Sequence, residues 1–254
     1  MTPPPPSRIS RASPGLRAVG DILLTLLCTA AMILSGPFAV LVAVGSVLLW
    51  RRLTGRPWRG TGLGWDRWAL PSLVAGVLGG ALALLGANAV AVAVGAARWT
   101  AWEPDNPAYL PLVIAMIVVG TALPEELLWR GNLQDLLTER LSATWAVVLT
   151  SVLFGALHLF SQSPAQGTFE RVLFAVGAVA LGLVCAASRL RTGAIWAAVG
   201  VHAGFYFGTG FFPTEAAHYG VRLAVRIIVT TAPGPTVLGL PDHRDRTRRT
   251  PPRT

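Results

Sequence analysis

Glu125 and Glu126 stand side by side at the end of a long apolar run, in Leu123-Pro124-Glu125-Glu126-Leu127-Leu128-Trp129-Arg130. A carboxylate in such a run is expensive, and ionisable residues kept there mark functional sites. Two further polar groups, His158 and His202, also interrupt apolar stretches. A glutamate beside one or two neutral imidazoles can hold and deprotonate a water. It can also bind a divalent metal that lowers the water's pKa. A carbonyl attacked by that water needs a donor for its developing oxyanion, which His202, Tyr206 or Arg130 could supply. No HExxH motif is present, so any zinc would be bound across helices.

Spacing refines these roles. Glu126 and Arg130 are four residues apart and can pair on one helix face. Glu125 is turned about 100° away and is free to face a cavity. Phe154 and His158 repeat the i,i+4 spacing and predict an aromatic ring packed under the imidazole. His202 and Tyr206 do the same.

The surrounding composition says what must position these groups. The chain has 254 residues, 53% hydrophobic and only 13% charged, with a mean hydropathy of +0.56. Soluble domains carry about 25% charged residues. A single all-α, polytopic transmembrane bundle of about eight helices is expected. The net charge is +9, and every basic residue is arginine. The arginines fall at the ends of apolar runs, which fits the positive-inside rule and argues against a nucleic-acid partner. The Arg-only, Ala/Gly/Pro-rich usage suggests a bacterial chain and therefore the bacterial cytoplasmic membrane. Cys28 and Cys185 lie in apolar runs and read as packing residues.

Charge-free windows at 68–97, 106–124, 141–169, 172–188 and 192–214 predict spans, each needing about 20 residues. The window 18–50 is broken by Gly36-Pro37 and reads as a hairpin of two helices. A weak last span is expected at 227–241. With eight spans, the N- and C-termini are both cytoplasmic, Arg98 and Arg171 lie outside, and most other arginines lie inside. The domain reading is a disordered basic tail at 1–16, one transmembrane domain at 17–241 with a catalytic-like core at 106–212, and a basic tail at 242–254. Asn88 is expected to make a helix–helix hydrogen bond. Asp21 reads as interfacial, and Trp129 and Trp196 as belt or packing residues.

Register can be worked out in advance. The helix of Glu125 can run on through Arg130 and Asp135 to Arg140, and the next can begin at Ser142, a good N-cap type. Folded about that turn, Glu125 and His158 come level, each about 25 Å from it at ~1.5 Å per residue. The stretch 130–140 reads as an amphipathic extension of this hairpin beyond the bilayer. His202 lies about 15 Å from a turn near Arg189–Gly193, so three polar groups can share one depth.

These residues resemble the CAAX prenyl protease and bacteriocin-processing family of intramembrane proteases. Its signature is EExxxR, FxxxH and HxxxN or HxxxD on separate helices. Glu125-Glu126-Leu127-Leu128-Trp129-Arg130 fits the first and Phe154-Gly155-Ala156-Leu157-His158 the second. His202-Ala203-Gly204-Phe205-Tyr206 is similar to the third, with Tyr206 where Asn or Asp is usual. The resemblance covers roughly residues 106–212. It implies an intramembrane endopeptidase acting on a membrane-associated peptide or protein. Glu125 would activate water and His158 would hold it or bind metal. Glu126 and Arg130 would support them, and His202 with Tyr206 would stabilise the oxyanion or complete the metal site. A zinc ion, if used, would take Glu125, His158 and His202. A catalytically impaired scaffold or immunity protein with this fold is the alternative, and a proton-coupled transporter a third.

Overall fold

The structure, a computed structural model, describes residues 14–102 and 107–232. The start of the N-terminal tail, most of the expected 227–241 span and the basic tail at 242–254 lie outside the described residues. Eight helices make up the all-α bundle: α1 (Pro14–Leu34), α2 (Ala39–Leu53), α3 (Ala69–Ala93), α4 (Pro107–Thr138), α5 (Ala143–Leu157), α6 (Thr168–Thr192), α7 (Trp196–Phe211) and α8 (Tyr219–Thr231). A two-stranded antiparallel ribbon, β1 (Ala97–Trp99) with β2 (Thr214–Ala216), ties the end of α3 to the α7–α8 connection.

The hairpin at Gly36-Pro37 is present. Gly36 has φ +54°, in the left-handed region that glycine adopts without a Cβ penalty, and Pro37 follows in a 3-10 turn. The turn after α6 is likewise closed by Gly193, at φ +66°. Among the described residues, five helices are long and apolar enough to cross a membrane: α1, α2 with the 3-10 turn that precedes it, α3, α4 and α6. The remaining three, α5, α7 and α8, are 15, 16 and 13 residues long, short of the ~20 residues a simple crossing takes.

Three expectations need correction. The first helix begins at Pro14, inside the expected tail, because proline is favoured in a first turn where its missing N–H is not needed. The last helix begins at Tyr219, eight residues before the expected window, and carries Arg222 and Arg226 within it. Both guanidinium groups find partners: Arg222 donates to the Thr214 carbonyl at 2.9 Å and Arg226 to Asn88 Oδ1 at 3.1 Å. The stretch after Arg130 is not an amphipathic extension. Leu127 through Leu133, then Gln134, Leu136 and Leu137, are all buried, packed against α1, α2 and the Trp58–Thr61 turn.

That burial is possible because its charges are matched. Arg51, 3% exposed, bridges Asp135 at 2.7 Å and donates to the Gly131 carbonyl at 3.1 Å. Asp21 is buried rather than interfacial, and it pairs with Arg140, just past the end of α4. The α4–α5 turn forms where the register required it: Ser142 is the N-cap of α5, its hydroxyl accepting from the Trp145 amide at 3.4 Å.

The tightest packing joins α3 to α7. Gly76 and Gly80 on α3 meet Gly200 and Gly204 on α7, and a Cβ at any of the four would collide with the facing backbone. Small residues four apart let two helices approach to backbone contact, the usual device where no hydrophobic effect drives association. This pair of GxxxG stripes fixes the helix that carries His202.

Candidate functional site

The Glu pair occupies a single α-helical turn of α4, Leu123–Glu126, between two π-helical stretches, Met116–Ala122 and Leu127–Leu133. Pro124 supplies a local reason for the first. Proline has no N–H to donate and its ring clashes with the carbonyl one turn back, so the preceding turn widens. Widened turns of this kind are frequent at functional sites, and nothing in the apolar periodicity announced them.

Glu126 and Arg130 pair as their spacing required. Arg130 Nη1 donates to Glu126 Oε1 at 3.1 Å, and both side chains are fully buried. The guanidinium also donates to the Gly182 carbonyl at 3.2 Å and lies 4.5 Å from the centre of the Phe154 ring. Gly182 could not be anything larger without cost, since its Cβ would meet Arg130 Nη2 at 3.0 Å.

His202 is the centre of the site. Its Nδ1 lies 2.8 Å from Glu126 Oε1, and its Nε2 lies 3.9 Å from Glu125 Oε2. An ionised carboxylate only accepts, so Nδ1 carries a hydrogen toward Glu126, while Nε2 faces Glu125. His158 is fixed in the same tautomer, its Nδ1 donating to the Phe154 carbonyl at 2.9 Å. Glu125 is the more open of the two acids, with 23% of its side chain exposed against none for Glu126.

Phe154 joins these groups. Its ring lies 4.8 Å from that of His158, 6.1 Å from His202 and 5.7 Å from Trp129, in addition to the guanidinium above. The expected packing of Phe154 under His158 is therefore present, and Trp129 is a packing residue rather than a belt residue. The Tyr206 ring stacks on His202 at 5.5 Å and 18° between planes. Cys185 is buried, as expected of a packing residue, with Sγ donating to the Ala198 carbonyl at 3.6 Å beside the Glu126 carboxylate.

Glu125, Glu126, Arg130 and His202 thus come into one cluster. His158 joins it through Phe154 and through a shared cavity of about 240 Å³, whose walls include His158, His202, Tyr206, Phe174 and Leu181. Glu125 and His158 share no hydrogen bond or ion pair among the described residues. The histidine that the register set level with Glu125 is accompanied by a second, and it is His202 that the acids grip. A second cavity of about 370 Å³, walled by Trp102, Tyr109, Ile117 and Phe211 among others, meets the first at Tyr206.

The donor chemistry partly suits zinc. Two imidazoles with Nδ1 held and Nε2 free is the usual arrangement of metal-binding histidines and their supporting acceptors. However, no three His, Cys, Asp or Glu side chains converge as a metal-holding cluster among the described residues. Glu125, His158 and His202 do not form a closed three-donor set.

Sequence reasoning missed Gly182, the paired GxxxG stripes and the role of Phe154 as a hub. The stripes were legible as Gly76-x-x-x-Gly80 and Gly200-x-x-x-Gly204. Gly182 carried no signal, because its importance is a carbonyl turned toward another helix.

No curated protein matches the chain. Residues 107–208 match the family described as type II CAAX prenyl endopeptidase Rce1-like. That segment holds both glutamates, Arg130, both histidines and Tyr206, so the similarity to this family falls on the residues of the site.

Proposed function

We propose that this protein is an intramembrane endopeptidase that hydrolyses a peptide bond of a membrane-associated peptide or protein with a water activated by Glu125. The observation that carries the reading is His202, held by Glu126 at Nδ1 and turned toward Glu125 at Nε2, at the wall of a cavity shared with His158. Glu125 takes a proton from water as the water oxygen attacks the carbonyl carbon. The resulting tetrahedral oxyanion is stabilised by donors at the cavity wall, for which the Tyr206 hydroxyl is suited. Glu125 then returns the proton to the departing amide nitrogen, and the C–N bond breaks.

Glu126 and Arg130 act through His202. Their buried pair fixes the imidazole's tautomer and plane, so that Nε2 can accept from the water or from protonated Glu125. His158, with its own Nε2 free, offers a second acceptor for the same water. The arginine distribution supports N- and C-termini on the cytoplasmic side of a bacterial cell membrane.

The test is cleavage of a membrane-tethered reporter peptide in proteoliposomes, with metal content of the purified protein measured alongside. Glu125→Gln and His158→Ala should each abolish turnover while leaving the helical content intact. Full activity in both variants would refute the reading and leave a non-catalytic membrane scaffold.

A further inference from the structure

The cavity beside the two histidines has another polar wall, supplied by α8, outside the family-matched segment. Arg226 and Thr230, one helical turn apart, both line it. Arg226 Nε is buried without a hydrogen-bond partner, and so is Thr230 Oγ1, on a residue only 8% exposed. The remaining walls are largely apolar, with Phe174, Leu181, Phe205 and Leu223.

Arg226 is also an unneutralised cation. No carboxylate lies within ion-pair distance among the described residues. Its Nη2 donates to Asn88 Oδ1 at 3.1 Å, and Asn88, fully buried, donates in turn to the Phe212 carbonyl at 3.0 Å. This chain orients the guanidinium without cancelling its charge. Glu170 is spent elsewhere, accepting from the Gln166 amide and lying against Gly220 at the start of α8. A cation in an apolar wall is costly unless paired, and buried donors without acceptors add to that cost. Both costs are relieved by one anion in the cavity that accepts from Arg226 and Thr230 together.

We infer that Arg226 and Thr230 form a binding subsite for a carboxylate of the peptide substrate. This rests on the proposed peptidase reading and adds a specificity determinant to it. A cavity of about 240 Å³ is on the order of 8 Å across, or about two residues of extended chain. The carboxylate therefore lies within about two residues of the bond presented to Glu125 and His202. A chain terminus and an Asp or Glu side chain both satisfy this chemistry.

The full-length protein carrying Glu125→Gln, reconstituted in nanodiscs, is titrated with three fluorescent acylated tetrapeptides. One has a free C-terminal carboxylate, one a C-terminal amide, and one a C-terminal amide with glutamate as its last residue. A charge-assisted contact should make at least one of the two acidic peptides bind about ten- to a hundredfold tighter than the neutral one. Which acidic peptide is preferred identifies the source of the carboxylate. Arg226→Gln should erase the preference, Arg226→Lys should keep part of it, and Thr230→Val should weaken it severalfold. Equal binding of all three peptides would overturn the inference, as would a preference that survives Arg226→Gln. If Arg226→Gln does not fold, the three-peptide comparison with Thr230→Val decides. Binding preference is read without turnover, so a chain that prefers carboxylates yet hydrolyses nothing would refute the peptidase reading and leave the subsite standing.

Discussion

Arg130→Met offers the sharpest test of the buried cluster. In the native site the guanidinium has three attachments: Glu126 at 3.1 Å, the Gly182 carbonyl at 3.2 Å and the Phe154 ring at 4.5 Å. Neither Arg130 nor Glu126 exposes any side-chain surface. Removing the cation leaves the Glu126 carboxylate buried, with the His202 N–H as its remaining hydrogen-bond donor. Breaking a buried pair from one side costs about 3–5 kcal/mol, a factor of roughly 10² to 4 × 10³ in the folding equilibrium. The Glu126→Leu, Arg130→Met double variant removes both charges; beyond the Gly182 carbonyl, which loses its donor in either variant, it strands only the His202 N–H, at about 1–3 kcal/mol. The double variant should therefore be more stable than Arg130→Met alone. Unfolding in dodecyl maltoside and dodecyl sulfate mixed micelles, followed by tryptophan fluorescence, measures all members of the cycle. Additivity of the two single changes to within about 0.5 kcal/mol would refute a coupled buried pair. Catalysis should be lost in Glu126→Leu and in the double variant, which free His202 from its orienting acid, and lowered in Arg130→Met, where Glu126 loses the cation that fixes it.

Gly80→Leu should cost about 1–3 kcal/mol or more and abolish activity, because its side chain enters the Val201 backbone on the helix of His202. Gly86→Leu on the same helix, where a Cβ meets nothing within 4 Å, should be tolerated in the same unfolding assay. Tyr206→Phe keeps the ring stacked on His202 but removes the hydroxyl. It should lower kcat by about a hundredfold with little change in KM, and an unchanged kcat would remove the phenol from the reaction.

Much of the architecture was legible because its signals are local. The Gly36-Pro37 break, the Ser142 cap and the continuation of the Glu125 helix past Arg130 each depend on a few neighbouring residues. The i,i+4 pairing of Glu126 with Arg130 follows from helix geometry alone. Misreadings arose where a charge was treated as unburied. Asp21 looked like a boundary residue, and only a partner distant in the chain, Arg140, makes its buried position tenable. Asn88 itself was read correctly as making a helix–helix hydrogen bond, which it accepts from Arg226 of α8, since an amide in an apolar run has few other uses.

The sequence by itself determined an all-α membrane bundle and the set of residues able to do chemistry in it. Apolar length, helical spacing and the rarity of charge are properties of each segment taken alone. Only the tertiary structure decided which of two adjacent acids holds the imidazole, which histidine stands between them, and that Arg226 faces the same cavity. Those outcomes depend on how helices rotate against one another. Here that rotation is set by glycine contacts and by the pairing of buried charges across helices far apart in the chain.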